Sequence, residues 1–251
     1  MNADMIIAHI SDFHLRQHLK GTSAALGRLS REMVDKVPRA LEQIVEAHPD
    51  LVVVSGDLID HPFEDMDHPD HLDAGRRDLR WFSEALSVLP MPTVVLPGNH
   101  DHLVLFHEQF QIPVDFIVKG LRILSFADAE GENHIPQRQG DERVLFDQAL
   151  ADQDPRPQVH LQHYLVYPRR DEGYPHTYGD AEALRTAIAR SGRVRLCLSG
   201  HYHPGHEPEC VDGTWFSVAP AFCEAPHRWR LYRLDVDGRT LTWEPRQLGQ
   251  A

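Results

Sequence analysis

Short apolar runs alternate with segments of helical periodicity over the first hundred residues. Three runs rich in valine, isoleucine or leucine, at Met5–Ile10, Leu51–Val54 and 93–96, predict buried strands. Residues 37–48 lie between the first two runs and predict a helix, which Pro38 would open near its first turn. Residues 76–89 repeat apolar positions at spacings of three and four, which predicts a second helix. The order indicates crossover connections between parallel strands.

The second half of the chain is richer in predicted strands. Two runs at 116–118 and 121–126 flank Lys119-Gly120, a pair typical of a short hairpin turn. Helices are predicted at 142–151 and, after Asp180 as N-cap, at 181–189. Further strands are predicted at 158–162, 194–198, 215–218, 229–234 and 240–243, with a turn at Asp237-Gly238 between the last two. We therefore expect one α/β domain over residues 1–251, and functional loops at 57–74 and 164–179.

Polar clusters follow five of the predicted strands at the point where each strand ends. The carboxyl ends of strands in open α/β sheets face the crevice where ligands bind, so these clusters can converge. Residues i and i+2 of an extended chain face the same side, which lets both residues of a D-x-H or H-x-H pair meet one ion. The clusters contain Asp12 and His14, Asp57 and Asp60, Asn99 and His100, His163, and His201 and His203.

The donor types in these clusters favour transition metals. Carboxylate, amide and imidazole donors suit Zn, Mn, Fe, Co or Ni better than an ion that prefers thiolates. Taken alone, a Gly-Asp pair is more often a turn, and His163 is more often a hydrogen-bonded core histidine. Five clusters in this order, each after a strand, argue against chance and predict a metal site.

Composition excludes several other functions. The formal charge is −13, from 38 acidic and 25 basic side chains with only three lysines, which is poorly suited to binding an extended nucleic acid. No apolar run approaches the ~20 residues that span a membrane. Three cysteines without CxxC spacing indicate neither a disulfide framework nor a thiolate metal site, as expected for a cytoplasmic protein. For the oligomeric state, the sequence is compatible with a homodimer.

The series D-x-H, GDxxD, GNHD, H and GHxH resembles that of the calcineurin-like metallophosphoesterases. It is most similar to the small bacterial phosphodiesterases that include the class III cyclic-nucleotide type. The resemblance implies a four-layer αββα sandwich of two mixed β-sheets flanked by helices. It also implies two transition-metal ions, Mn, Fe or Zn, bridged by Asp57. One ion would be held by Asp12, His14, Asp57 and His203, and the other by Asp57, Asn99, His163 and His201.

The same resemblance implies a mechanism. A hydroxide bridging the two metals would attack phosphorus in line, and the metals would neutralise the non-bridging oxygens. His100 would stabilise or protonate the departing oxygen, with Asp60 as its carboxylate partner. Asn99 and His100 would also contact the substrate.

The substrate that we expect is a small phosphodiester, either a cyclic nucleotide or a glycerophosphodiester. A phosphomonoesterase is the alternative, and a non-catalytic metal-binding scaffold is a weaker one. The loop 164–179 carries Arg169 and Arg170 among aromatic residues, and the planar arginine fork suits phosphate. An exposed loop with ordinary surface arginines explains them equally well. The protein-phosphatase signature GDxxDRG is absent, because His61-Pro62 follows Asp60.

Several nearby polar residues have simpler interpretations. We expect Asp101 to cap the helix that follows it rather than to act in the site. His61, His68 and His71 lie in an acidic loop, and solvation explains them better than a third metal. His9 is expected to be structural or to support a ligand, and His206 to lie at the rim.

Overall fold

The computed structural model describes residues 4–20, 27–235, 237 and 239–248, and these form thirteen strands and five α-helices. Gly238, in the predicted last turn, lies outside the described residues. The strands are β1 Met5–Ile10, β2 Leu51–Val54, β3 Thr93–Val95, β4 Asp115–Val118, β5 Leu121–Ser125, β6 Ala129–Glu130, β7 Pro136–Gln137, β8 Gln158–Leu161, β9 Val194–Ser199, β10 His206–Val211, β11 Thr214–Val218, β12 Arg228–Leu234 and β13 Leu241–Gln247. The helices are α1 Met33–Glu46, α2 Pro69–Leu86, α3 Leu103–Gln109, α4 Gly140–Ala151 and α5 Ala181–Ser191, and short 3-10 turns lie at Ser30–Glu32 and Glu132–His134.

Two large mixed sheets form the centre of the molecule. The first has the order β13-β12-β1-β2-β3, with β1, β2 and β3 parallel and β12 antiparallel to both of its neighbours. The second has the order β10-β11-β9-β8-β5-β4, with β5, β8, β9 and β11 parallel. The carboxyl ends of the parallel strands in both sheets can therefore contribute side chains to one ligand-binding site.

Three apolar clusters show how the layers are stacked. Ile7 of β1 packs between the sheets with Val53 and Leu198, whereas its neighbour Ala8 faces the helices. Successive strand residues point to opposite faces, so one strand contributes to two layers of the core. Helices α1 and α2 cover the outer face of the first sheet, and α4 and α5 cover that of the second. This confirms the αββα sandwich of two mixed sheets.

The predicted strands are present, but three helices begin earlier than expected, α4 by two residues and α1 and α2 by four and seven. Helix α1 begins at Met33, so Pro38 lies at its sixth position and does not open it. The buried stripe of α1 includes Met33 and Val37, which extends the amphipathic face by one turn. Helix α2 begins at Pro69, at the position where proline's missing N–H costs nothing, and the His68 side chain accepts a hydrogen bond from Asp70 N.

The second half differs from the prediction in detail. Strand β10 and the β6–β7 pair were not predicted, and β13 extends to Gln247. Asp180 is the N-cap of α5 but makes no capping hydrogen bond with its side chain. Lys119 and Gly120 both have positive φ, at 46° and 84°, which confirms the tight turn between β4 and β5. Within the described ranges, no helix has both the length and the apolar character needed to cross a bilayer.

Candidate metal centre

Backbone hydrogen bonds join the turn that follows β1 to the turn that follows β2. Phe13 N and His14 N both donate to Asp57 O, at 2.8 and 2.9 Å, and Asp12 N donates to Gly56 O at 3.0 Å. Asp12, His14 and Asp57 all have positive φ, at 57°, 46° and 53°. Non-glycine residues adopt this conformation at an energetic cost, which is typical of functional sites.

Two residues of the second sheet, His201 and His163, make polar contacts with the turns after β1 and β2. His201, after β9, has a φ of 64°, and its N–H lies 3.1 Å from both carboxylate oxygens of Asp12. His163, after β8, donates from Nδ1 to Ser55 O at 2.7 Å. A Cβ on Gly200 would collide with the side chains of Ser11 and Asp12, so only glycine permits this approach.

A first group of donors surrounds His14. Its Nε2 lies 3.4 Å from Asp57 Oδ2 and 3.0 Å from His203 Nε2. His203 Nε2 in turn lies 3.9 Å from Asp12 Oδ1. Four side chains from three strand ends therefore present one donor atom each to a common point.

A second group of donors lies on the other side of Asp57. His163 Nε2 is 3.5 Å from Asp57 Oδ2 and 3.3 Å from Asn99 Oδ1. The ring of His201 lies 4.8 Å from that of His163, and its buried Nε2 has no hydrogen-bond partner in the described part of the chain. An orphaned buried imidazole nitrogen is costly unless a ligand satisfies it.

These distances fit the coordination of two metal ions. Ligand atoms at about 2.1 Å from one ion, with angles near 90–110°, are separated by about 3.0–3.4 Å. Most of the donor separations in the two groups lie in or near this range. Asp57 Oδ2 belongs to both groups, which is the position of a shared bridging carboxylate. The structure thus brings the seven residues predicted as ligands close together, with Asp57 between the two groups, and their binding of metal stays a prediction.

Hydrogen bonds orient two of the imidazoles. His203 Nδ1 lies 2.6 Å from Glu224 Oε1, and His163 Nδ1 lies 2.7 Å from Ser55 O. When Nδ1 carries the proton that each acceptor requires, the lone pair is on Nε2, which faces the donor group. Glu224 was not predicted from sequence, because no motif marks a residue that lies 21 positions after His203.

Burial and charge set the protonation of these groups. Burial lowers the pKa of both His14 and His201 well below the ordinary value, so both rings are neutral, as metal binding requires. Burial opposes ionisation of Asp57, but His163 and His14 hold its pKa well below the ordinary value. Burial also opposes protonation of His163, yet Asp57 and Asp12 raise its pKa to about 9. The carboxylates of Asp57 and Asp12 therefore favour a positive charge beside them.

His100 lies beside the donor groups and has separate partners. Its backbone N–H donates to Asp57 Oδ1 at 2.8 Å, and its Nδ1 lies 2.8 Å from Asp60 Oδ1. Asp60 is fully buried and also accepts from Arg16 Nε at 2.6 Å, while Arg28 Nη1 lies 3.8 Å away. The predicted His100–Asp60 pair is thus in contact, and two arginines help to hold the carboxylate in place.

The capping prediction for Asp101 is wrong. Helix α3 is capped by His102, whose Nδ1 accepts from Leu105 N at 3.4 Å. The buried carboxylate of Asp101 instead accepts from Gly98 N at 2.9 Å and from Leu58 N and Ile59 N at 3.1 Å. It ties the two strand-end turns that carry Asp57 and Asn99 to each other. Burial, reinforced by Asp57, raises the pKa of Asp101 to about 7.

An open cavity of about 340 Å³ leads to the donor groups. Its lining combines metal-type donors with one arginine and several rings. The lining residues are Arg28, Asp57, Asn99, His100, Tyr174, His176, His201, Tyr202, His203 and Pro204. Phe63 stands against the lining residue His100, with ring centroids 4.7 Å apart.

The loop 164–179 contributes rings rather than its predicted arginines to this cavity. The Arg169 side chain is 72% exposed and pairs with Asp171 at 2.6 Å, outside the cavity lining. The Arg170 guanidinium lies 5.7 Å from the centre of the Tyr202 ring, and Arg170 is not among the lining residues. Arg28 is the arginine that reaches the cavity, and sequence reasoning missed it because it belongs to no strand-end motif.

The remaining histidines differ in environment. His61 is fully buried, with Nε2 2.8 Å from Met66 O, so the prediction of a solvated loop is wrong for it, whereas His68 is exposed. Neither belongs to a metal-type donor group in the described residues. His9 is buried with Nε2 2.8 Å from Ser55 Oγ, and burial lowers its pKa to about 3, which fits a structural role. His206 pairs with Glu209 at 3.1 Å.

Cys223 is a further neighbour of the donor groups. Its thiol and the imidazoles of His14 and His203 present atoms that all lie within 4.8 Å of one another. Burial raises the pKa of this thiol well above its ordinary value, so the protonated form dominates. The ligand sets predicted from the sequence contain only oxygen and nitrogen donors and do not include this thiol.

Comparison with known proteins agrees with this geometry. A family model described as calcineurin-like phosphoesterase matches residues 5–205. A probable glycerophosphodiester phosphodiesterase, GpdQ, of Arcobacter nitrofigilis is 26% identical over 113 residues, which cover 43% of this chain and 34% of the relative. The matched segment thus spans about a third of that relative's length.

Solved structures show the same fold at low identity. A dimetal phosphatase from Danio rerio superposes with a TM-score of 0.73 at 17% identity, covering 98% of this chain and 96% of that one. YfkN from Bacillus subtilis, a calcineurin-like phosphoesterase, superposes with a TM-score of 0.58 at 12% identity, covering 98% and 91%. At these identities the likeness supports the sandwich fold, while the family rests on the sequence match.

Proposed function

The chain belongs to the calcineurin-like phosphoesterase family, and on that premise we propose that it is a metal-dependent phosphodiesterase acting on a small phosphodiester. A cyclic nucleotide and a glycerophosphodiester are the two substrate types that this proposal covers. The observation that carries it is the pair of donor groups that share Asp57 at the floor of a 340 Å³ cavity. The relative named as a probable glycerophosphodiester phosphodiesterase supports the diester class.

The donor sets proposed from sequence fit two transition-metal ions, with Mn, Fe or Zn the best match to oxygen and imidazole ligands. One ion would be held by Asp12, His14, Asp57 and His203, and the other by Asp57, Asn99, His163 and His201. When bound, such a pair supplies an activated water and neutralises charge on the phosphoryl oxygens. Asp57 and Asp12 are the only carboxylates in these sets, so the loaded site carries net positive charge that attracts the substrate phosphate.

Charged and hydrogen-bonding residues beside the metal ligands handle the rest of the substrate. His100 Nδ1 bonds Asp60, and we assign its Nε2 to the departing oxygen. Asp60 stabilises the protonated imidazole, which then gives its Nε2 proton to that oxygen. Arg28 and Asn99 both line the cavity; Arg28 would supply a positive charge for a non-bridging phosphate oxygen, and Asn99 would contact the substrate.

A metal-reconstituted activity panel tests this function. The purified protein is stripped with a chelator, reloaded separately with Mn, Zn or Fe, and supplied with matched diesters and monoesters. The panel includes 3′,5′- and 2′,3′-cyclic nucleotides, glycerophosphodiesters and their product monoesters. We expect diester turnover to exceed monoester turnover in the loaded protein and to vanish in the stripped protein.

Two other results would overturn the proposal in different ways. Faster turnover of the monoesters would reassign the substrate class and leave the metal site in place. A protein that binds no transition metal and turns over nothing after reloading would indicate a scaffold. Metal content measured by elemental analysis separates these two outcomes.

A further inference from the structure

A row of aromatic rings borders the cavity on the side of His100. Phe63 lies 4.7 Å from the His100 ring and 6.2 Å from His134, and His134 lies 5.7 Å from Tyr174. We refer to Phe63, His134 and Tyr174 as the aromatic rim. Phe63 is 41% exposed and His134 is 60% exposed in its side chain, so the rim offers ring faces to an incoming molecule.

One carboxylate holds two of the three rings. Glu130 Oε1 accepts from the Tyr174 hydroxyl at 2.8 Å, and Glu130 Oε2 lies 2.8 Å from His134 Nδ1. His134 and the preceding Asn133 both have positive φ, at 60° and 56°. A strained backbone that places an exposed ring is a reason to look for a ligand at that position.

The third ring is fixed to the catalytic side of the cavity through its loop. His61 N donates to His100 O at 3.1 Å, and the buried His61 ring holds the loop through Met66 O at 2.8 Å. Phe63 therefore keeps its place relative to His100 rather than following a free loop. An exposed phenylalanine held in a fixed position indicates a binding contact more strongly than a single apolar residue elsewhere on the surface does.

The position beside His100 identifies the part of the substrate that meets the rim. In the proposed function His100 acts on the departing oxygen, and the Phe63 ring lies 4.7 Å from the His100 ring, so the group attached to that oxygen is the part of the substrate placed nearest to Phe63. Flat faces favour stacking with a flat partner, because aromatic pairs gain from offset or edge contacts beyond the area that they bury. Bases stack on protein aromatic rings for the same reason.

We propose that the aromatic rim selects phosphodiesters whose departing alcohol carries a planar ring, such as a nucleoside or an aryl alcohol, over those with an aliphatic alcohol such as glycerol. This inference rests on the proposed function and narrows its substrate class. It makes Phe63 the residue that contacts the ring, and Glu130 a positioning residue for His134 and Tyr174.

A matched pair of diesters tests the proposal. Benzyl methyl phosphate and cyclohexylmethyl methyl phosphate release primary alcohols of similar size, and only the first carries a planar ring. For Phe63→Leu in the reconstituted enzyme we expect kcat/KM for benzyl alcohol release to fall by about two- to tenfold, mainly through KM. Release of cyclohexylmethanol should change by less than about twofold, and Phe63→Tyr should retain the benzyl preference.

The controls separate stacking from general damage. Ile117→Ala removes a side chain of similar exposure, 50%, on β4 and should leave both substrates unaffected. Glu130→Ala should reduce the preference for the benzyl ester, whereas Glu130→Gln, which can still bond Tyr174, should restore part of it. Equal loss on the two substrates in Phe63→Leu, or no loss on either, would overturn the proposal.

Failure of the proposed function has a different signature. If the wild-type loaded protein turns over neither diester, the pair of monoesters, benzyl phosphate and cyclohexylmethyl phosphate, replaces them. If those are also inert, competition binding to the metal-loaded protein measures the same preference. Equal affinities of wild-type protein for the two compounds would then overturn the rim proposal independently of catalysis.

Discussion

The strand ends that carry the metal-type donors and the aromatic rim lie side by side but are built differently. Asp12, His14 and Asp57 are almost fully buried, and backbone hydrogen bonds between adjacent strand ends fix their positions. Phe63 and His134 are exposed, Phe63 in the loop between β2 and α2 and His134 in the short connection between β6 and β7, and a side-chain contact from Glu130 holds His134. Chemistry that requires sub-ångström placement thus lies on the sheets, and contacts that discriminate among substrates lie on the loops.

The largest expected effect tests the shared ligand at the strand ends. Asp57→Asn removes the charge that both donor groups use, so we expect kcat to fall by about 10⁴-fold or more and metal content to drop. Asp78→Asn is the matched control, because its buried carboxylate binds His18 and Leu19 away from the site. Full metal content in Asp57→Asn, measured by elemental analysis, would show that the two groups do not share this ligand.

His100 lies between the strand-end donors and the aromatic rim, and its substitution tests whether it acts on the departing oxygen. We expect His100→Ala to lower kcat by about a hundred- to a thousandfold while metal content stays at the wild-type level, because general acid catalysis is lost and no ligand is removed. Substrates with a good leaving group, which need no proton, should lose least. A variant that keeps both metals and full kcat on a poor leaving group contradicts the role given to His100.

Glu224 tests whether support outside the donor set matters. Its carboxylate lies 2.6 Å from His203 Nδ1, so Glu224→Gln should weaken metal binding by about ten- to a hundredfold at the site containing His203. Glu209→Gln is the control, since that carboxylate pairs with His206 instead. Titration of stripped protein with Mn, followed by calorimetry, measures the affinities, and equal values for the two variants would count against this role.

The smallest effect concerns the two arginine positions. Arg28→Ala removes a cavity charge, so KM for a diester should rise by about tenfold with a smaller change in kcat. Arg169→Ala removes an exposed guanidinium that pairs with Asp171, and KM should stay within about twofold of wild type. The reverse ranking in steady-state kinetics would restore Arg169 as the phosphate contact that the sequence predicted.

Helix boundaries show a limit of sequence reasoning. Pro38 is a reasonable first-turn residue on local grounds, yet α1 begins five residues earlier because Met33 and Val37 both face the core. Packing of an amphipathic face outweighs a local preference of this kind. For α2 the signal was present, since Pro69 after His68 is a standard start, but the surrounding acidic residues obscured it.

The sequence by itself determined ten of the thirteen described strands and the metal-type residues at the ends of five of them. This was possible because apolar runs, turn glycines and donor spacing are local properties of the chain. The tertiary structure alone decided the partners of those residues: Glu224 on His203, Arg28 near Asp60, and Asp101 bridging two turns. These contacts join residues far apart along the chain, and their energies depend on burial and distance, which no local pattern encodes.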